Sequence, residues 1–231
     1  MNEPTLETVR DYLLTKANDA LRRPGMYGGE TSIHLYLDAV AFAHGAAQTW
    51  TADVEDLHQR GGSNGLGVTG ALAQILGRGT DDAVASVYAD LAHRRNWLRL
   101  YRLLSATDYD EMRERIDLLC RTDITWSQIR ERFGEPSVLF GGTNPRFPKT
   151  LGYASERPQD PLICLHLWND HFHLWSDQEA PEEPVLLAVR RTDTAAAFRD
   201  GFTLTPAGHL HTATRPAPDT VDDQSSDNSG P

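Results

Sequence analysis

Apolar residues in the first half of the chain recur at spacings of three and four, the period of a helix packed on one side. In "TLETVRDYLLTKANDALRRPG" this stripe ends at Pro24-Gly25, and it begins again in "TSIHLYLDAVAFAHG". Further stripes run through "ALAQIL", from the Asp81-Asp82 pair as far as Leu104, and through "YDEMRERIDLLC" and "TWSQIRERFG". The pattern predicts a mainly helical N-terminal half.

The apolar period changes to two in the second half of the chain, as in a half-buried β-strand. "PLICLHLWNDHFHLWS" alternates on both sides of Asn169-Asp170, residue types that tolerate the conformations of a tight turn. We therefore expect a β-hairpin here, with further strands in "PVLLAVR" and "GFTLTPAGHLHTA", the last two joined through Pro206-Ala207-Gly208. The predicted fold class is α+β, with a mainly helical N-terminal half and an antiparallel β-sheet with a hairpin in the C-terminal half.

The change of period divides the chain into a helical region, residues 1–105, and an α+β region with the antiparallel sheet, residues 106–212. The two regions could form separate domains or one. Residues 213–231 include "RPAPDTVDDQSSDNSGP", which is rich in proline, serine and acidic residues and has almost no apolar ones. Such a segment cannot offset its ordering entropy, so we expect a disordered acidic tail.

The formal net charge of −11 argues against a general nucleic-acid surface, because such surfaces neutralise phosphates with Lys and Arg. It fits either simple solubility or attraction to a basic protein partner. No apolar run approaches the roughly 20 residues that span a bilayer, and the N-terminus does not resemble a signal peptide. With only Cys120 and Cys164 and no disulfide framework, we expect a soluble cytoplasmic protein with no membrane contact.

The stretch "VLFGGTNPRFPKTLGYA", residues 138–154, invites comparison with a phosphate-binding loop. A Walker A loop needs a glycine before its lysine, because successive backbone N–H groups must point at the phosphates. Pro148 stands at that place, and neither Pro145 nor Pro148 has an N–H group to donate. The stretch therefore predicts a turn rather than a phosphate cradle, with Arg146 and Lys149 as a candidate anion contact.

Gly65, Gly67 and Gly70 form a G-x-G-x-x-G pattern before a predicted helix. A dinucleotide-binding fingerprint also needs a hydrophobic strand immediately upstream. The upstream residues, "TADVEDLHQR", are charged and do not resemble a strand, so the sequence favours no bound cofactor at this loop.

The predicted hairpin places Cys164, His166 and His173 on the face opposite its aliphatic residues, with the two histidines as cross-strand neighbours. A thiolate and two imidazoles suit zinc, and an open fourth position would make a catalytic arrangement. Without a metal, the two histidines could act as general acid and base. Alternatively, a layer of helices covers this face and the histidines are interior residues.

Two short segments resemble known families. "RRPGMYGG", residues 22–29, resembles a segment near the start of the ATPase domain of DNA gyrase, and "GGSNGLGVTGAL", residues 61–72, resembles that family's ATP lid. In that family the helix after the first segment carries a catalytic glutamate and a magnesium-binding asparagine. Here that helix offers only Asp38 and has Phe42 near the place of the asparagine, and the adenine-reading D-x-G-x-G segment is missing, so the resemblance does not imply an active ATPase. The first segment is also similar to the start of small bacterial proteins, some of which are thought to be immunity proteins of toxin systems.

The leading prediction is a non-catalytic, intracellular, acidic binding protein of the immunity or antitoxin kind, acting on a protein partner. The first alternative is a metal- or histidine-dependent hydrolase that uses the face with His166 and His173. The second is a DNA-binding regulator, in which "ITWSQIRERFG" and "PSVLFGG" would form a helix-turn-helix that contacts DNA through Arg130 or Arg132.

Overall fold

The computed structural model of the protein describes residues 5–169, 182–191 and 197–213. Its first half consists of helices, as the apolar period predicts, and two further helices precede the sheet. In chain order they are α1 (Leu6–Arg22), α2 (Pro24–Tyr27), α3 (Gly29–Ala43), α4 (Ala47–Gln59), α5 (Gly67–Leu76), α6 (Asp81–Arg94), α7 (Ala106–Leu119) and α8 (Trp126–Phe133).

An antiparallel sheet of five strands follows, in which each strand pairs with the next one along the chain. Its strands are β1 (Val138–Phe140), β2 (Lys149–Tyr153), β3 (Ile163–Trp168), β4 (Val185–Arg190) and β5 (Phe202–Leu204), and α9 (Pro206–Ala213) comes last. The predicted α+β class, with helices mainly in the N-terminal half and an antiparallel sheet in the C-terminal half, is confirmed.

Both faces of the sheet are covered by helices, which gives three layers. On one face Val138 and Cys164 belong to the same apolar cluster as Ile33 and Leu72 of the N-terminal helices. On the other face the sheet packs against α7 and α8, through Leu151, Tyr153, Ile163, Leu165, Leu167, Leu186 and Val189. Both apolar clusters thus contain residues of the two regions 1–105 and 106–212, since Leu104 belongs to the second cluster.

The predicted hairpin around Asn169-Asp170 is wrong in its pairing. Both edges of β3 are occupied, with Lys149–Tyr153 on one side and Val185–Arg190 on the other. His166 lies opposite Thr150 and Ala188, not opposite His173. His173 and the rest of the predicted second strand, residues 171–176, lie outside the described residues.

Two element boundaries also differ from the sequence-based expectation. The long helix ends at Arg94 instead of continuing to Leu104, because Asn96 takes a backbone φ of 58°, which an α-helix does not contain. Pro206, expected in a turn between strands, instead opens α9, where the Thr205 hydroxyl accepts a hydrogen bond from the Gly208 N–H. Proline is well suited to the first helical turn.

Within the described residues, no helix is both long enough and apolar enough to cross a membrane.

Candidate functional site

The face of β3 that carries Cys164 and His166 is buried beneath α6. Side chains alternate along β3 as predicted, with Leu165 and Leu167 on the opposite face of the sheet. His166 is 3% exposed and Cys164 is 0% exposed. The alternative in which helices cover this face is therefore the one that the structure adopts.

Three polar residues of α6 point from the helix into this interface. Asp82, Ser86 and Asp90 follow one another at intervals of four, so they share one side of the helix, and all three are buried. Opposite them lie Thr150 on β2 and Arg190 on β4, both also buried. We call this set, together with Cys164 and His166, the buried polar layer.

A hydrogen-bonded chain links Asp82 to His166 through Thr150. The Thr150 hydroxyl donates to Asp82 Oδ2 at 2.8 Å, and Thr150 Oγ1 lies 3.1 Å from His166 Nδ1. Because the single hydroxyl hydrogen of Thr150 goes to Asp82, Nδ1 must be the protonated ring nitrogen and donate to Thr150. The other nitrogen, Nε2, is then an acceptor, and it has no partner among the described residues.

Burial shifts the pKa values at the two ends of this chain in opposite directions. Burial raises the pKa of Asp82 to about 6, against the hydrogen bonds from Thr150 and Thr80, which favour the ionised form. Burial and then the positive charge of Arg190 lower the pKa of His166 to about 3. Desolvation disfavours the charged form of either group, so His166 is neutral in the folded protein at ordinary pH.

Arg190 holds the other end of the layer. Its Nη2 donates to the Ser86 carbonyl at 2.9 Å and lies 3.3 Å from Cys164 Sγ. Burial opposes the ionisation of Asp90, but the charges of Arg190 and Arg94 outweigh it and keep the Asp90 pKa below its ordinary value. Asp90 also accepts hydrogen bonds from Arg94 at 2.8 Å and from the Leu162 N–H at 3.0 Å. At this end of the layer, therefore, the charge of Asp90 is compensated by Arg190 and Arg94.

The space beside His166 holds no more than a water molecule. The cavity between His166, Asp82 and Trp168 measures about 10 Å³, which is close to the volume that one water needs. Arg78 lies over the Trp168 ring at 5.3 Å, and the His211 ring lies 5.1 Å from it. Among the described residues, Arg78, Trp168 and His211 therefore narrow the opening beside the imidazole.

The predicted zinc ligands are only partly placed by the structure. Cys164 and His166 share a face, but Arg190 stands beside the sulfur, and burial raises the pKa of the Cys164 thiol. A neighbouring guanidinium and a protonated thiol both disfavour metal binding. Within residues 5–169, 182–191 and 197–213, no group of three or more His, Cys, Asp or Glu side chains is arranged to hold a metal. The part of the zinc prediction that rests on His173 lies outside these ranges.

Lys149 does not project toward solvent with Arg146 as the predicted anion contact requires. Its side chain is buried, and Nζ donates to the carbonyls of Gly142 at 3.0 Å and Asn144 at 2.6 Å. Burial lowers the Lys149 pKa to about 8. The lysine therefore holds the loop between β1 and β2 in place, and the expected turn lies in that loop, while Arg146 is exposed.

The N-terminus of α5, in the G-x-G-x-x-G loop, is occupied by a side chain of the protein itself. The backbone N–H groups of Val68 and Thr69 donate to the Glu30 carboxylate at 2.7 and 2.9 Å, and the Thr69 and Tyr88 hydroxyls donate to it as well. A phosphate would use the same donors. Glu30 follows directly on residues 22–29, so its side chain ties that segment to the glycine-rich loop of residues 61–72.

The helix that was a candidate for DNA recognition is followed by a strand. The second helix expected from "PSVLFGG" is β1, which pairs with β2. The helix-turn-helix prediction is therefore wrong, and Arg130 forms an ion pair with Glu135.

Sequence reasoning missed most of the buried polar layer. The sequence pattern marked Asp82 only as the start of a predicted helix and did not mark Ser86, Thr150 or Arg190. One signal was present in α6, because polar residues at intervals of four on an otherwise apolar helix are expected to face a polar partner. Nothing local marked Thr150 or Arg190 as that partner.

A scan of protein-family models, a search of curated proteins and a search of solved structures each found no match to this chain. The function has to be inferred from the residues themselves.

Proposed function

We propose that this chain is a non-catalytic binding protein that acts on a protein partner, of the immunity or antitoxin kind. The supporting observation is that the surface needed by the hydrolase alternative is covered. His166 is 3% exposed, and the adjoining cavity has room for about one water. A general acid or base must come within hydrogen-bonding distance of its substrate.

The pKa of His166 gives a second reason to prefer binding over catalysis. A general base works best when its pKa lies near the working pH, because it must both accept and release a proton. Burial holds the His166 pKa at about 3, so the imidazole is a weak base at neutral pH. The hydrolase alternative would require α6 to move away from the sheet.

The distribution of charge supports a basic protein as the partner. Nine of the 33 acidic residues but only one of the 22 basic residues lie outside the described ranges, so those segments carry −8 of the formal charge of −11. Described carboxylates often pair with arginines, as in Asp53–Arg95 and Asp110–Arg157. The excess negative charge is therefore concentrated in segments such as 214–231, which would attract a positively charged surface.

The proposal is tested by co-expressing the full chain with the proteins encoded beside its gene and measuring complex formation by native mass spectrometry. We expect a stoichiometric complex with one basic neighbour that weakens as the salt concentration rises, because exposed charge pairs are screened. A form ending at Ala213 keeps every described element and should bind that neighbour more slowly.

Enzymatic activity that depends on His166 is the outcome that would contradict this proposal. Chromogenic esters and 4-nitrophenyl phosphate are incubated with the unsubstituted protein and with His166→Gln. Turnover that the substitution abolishes while the circular-dichroism spectrum is retained would contradict the proposal and support the hydrolase alternative.

A further inference from the structure

A second opening lies on the other side of the sheet and differs from the buried polar layer in composition. It is a cleft of about 320 Å³ formed by the segment before α7, one face of α7 and the end of α8. Clefts of a few hundred Å³ are the usual size for small-molecule sites. Its exposed lining is mainly polar and includes Arg102, Arg115 and Arg132, while Leu104, Met112 and Phe133 contribute a smaller apolar part.

Two of the guanidinium groups at this cleft have no carboxylate partner among the described residues. Arg102 is half-buried, and its Nη2 donates to a neutral group, the Phe133 carbonyl, at 2.5 Å. Its Nε is buried and has no hydrogen-bond partner in the described part of the chain. Arg132 is exposed and forms no ion pair there. A half-buried cation without a counter-ion is costly unless a ligand supplies one.

The carboxylates at the rim are already engaged. Asp108 accepts a hydrogen bond from the Ser105 hydroxyl at 2.7 Å at the start of α7. Glu111 lies 3.4 Å from Arg115, and both side chains are more than half exposed, so this pair is weak. The cleft therefore carries three arginines against two carboxylates, a local reversal of charge in a protein whose net charge is −11.

Gly134 lets the Arg102 guanidinium come close to the backbone at the end of α8. Its φ is +71°, and a Cβ at this position would lie 3.0 Å from Arg102 Nη1. Its carbonyl accepts a hydrogen bond from the Tyr153 hydroxyl at 3.0 Å, which fixes the turn to the sheet. The cation is thus held by the fold before any ligand arrives, as a pre-organised site requires.

We propose that this cleft binds a small organic phosphate, with Arg102 and Arg132 on the phosphate group and Phe133, the apolar lining residue that is only half-buried, beside its organic part. The planar guanidinium fork matches phosphate oxygens, and a doubly charged group suits two unpaired cations. The assignment goes beyond the proposed function, since it names a second ligand that does not depend on the protein partner.

Phenyl phosphate is the probe, titrated into the full chain while backbone amide resonances are followed by NMR. We expect saturable shifts at the end of α8 and on α7, and no shifts with phenol, which lacks the charge. Inorganic phosphate should bind at least about threefold more weakly, because it lacks the ring that packs against Phe133. Equal affinities for phosphate and phenyl phosphate would overturn the assignment of an organic ligand.

Arg132→Gln tests the charge and has a matched control in Arg146→Gln. Both arginines are exposed, so both variants should fold, but Arg146 does not line the cleft. We expect Arg132→Gln to raise the dissociation constant of phenyl phosphate at least about tenfold and Arg146→Gln to change it less than about twofold. The absence of saturable binding, or the reverse order of the two variants, would overturn the proposal. Partner binding in the same variants reports separately on the proposed function.

Discussion

Replacing Arg190 with methionine is expected to lower the free energy of unfolding by about 3–5 kcal/mol, the usual cost of removing one member of a buried charge network. Arg190 is 1% exposed, and its charge is the largest favourable influence on the ionised form of Asp90. The substitution leaves Asp90 buried with less compensation and removes the side-chain donor to the Ser86 carbonyl. Urea unfolding followed by circular dichroism measures the change.

The neighbouring residue provides the control for this prediction. Arg191 lies 3.2 Å from Asp117, an exposed carboxylate, and is itself only partly buried, so Arg191→Met should cost less than about 1 kcal/mol. Adding Asp90→Leu to Arg190→Met should recover part of the loss, because the second substitution removes the unpaired charge. If Arg190→Met and Arg191→Met were equally stable, Arg190 would not hold the layer together.

The second large effect is a pH dependence of stability that has opposite signs at the two ends of the Asp82–Thr150–His166 chain. The folded-state pKa of His166 is about 3, below the ordinary pKa of histidine. His166 therefore contributes stability at pH values above that ordinary pKa, and this contribution is lost as the pH falls toward 3. The folded-state pKa of Asp82, about 6, lies above its ordinary value. Asp82 therefore contributes stability at low pH, and this contribution is lost as the pH rises through 6.

Single substitutions should separate these two contributions between about pH 4 and pH 6. In the unsubstituted protein they oppose each other over this range. In His166→Gln the stability gained by raising the pH should be smaller than in the unsubstituted protein, and in Asp82→Asn it should be larger. Each difference should be roughly 2–3 kcal/mol, since one pKa unit corresponds to about 1.4 kcal/mol. Other titrating groups are common to all three proteins and cancel in the comparison.

Urea unfolding at several pH values measures these differences. Identical pH profiles for the three proteins would mean that Asp82 and His166 titrate in the folded state much as they do in water. The proposed burial of the chain between α6 and the sheet would then be wrong.

The class of the fold could be predicted from the sequence because the spacing of apolar residues along a helix or strand indicates which side of it is buried. The stripes through Leu13, Leu37 and Ile116 mark α1, α3 and α7, and the alternation in "ICLHLW" marks β3. The pairing of β3 could not be predicted in the same way. Asn169-Asp170 suggested a local turn, whereas the true partner β2 is a short strand within a stretch rich in glycine and proline.

The buried polar layer depends on contacts between residues that are distant in sequence. Thr150 reaches Asp82 across 68 residues, and Arg190 reaches Ser86 across 104. Such contacts exist only after α6 has packed on the sheet, so no pattern within one element specifies them. The sequence could identify Cys164 and His166 as one face of a strand, but not whether that face was open or covered.

Cys164 offers the most direct measurement of whether the layer is closed. The native protein is treated with a thiol reagent, and the modified cysteine is identified by peptide mass spectrometry. A closed layer predicts that Cys164 reacts only through unfolding, at least about a thousandfold more slowly than in urea. Modification of Cys164 within about tenfold of the rate in urea, while the circular-dichroism spectrum stays native, would contradict it.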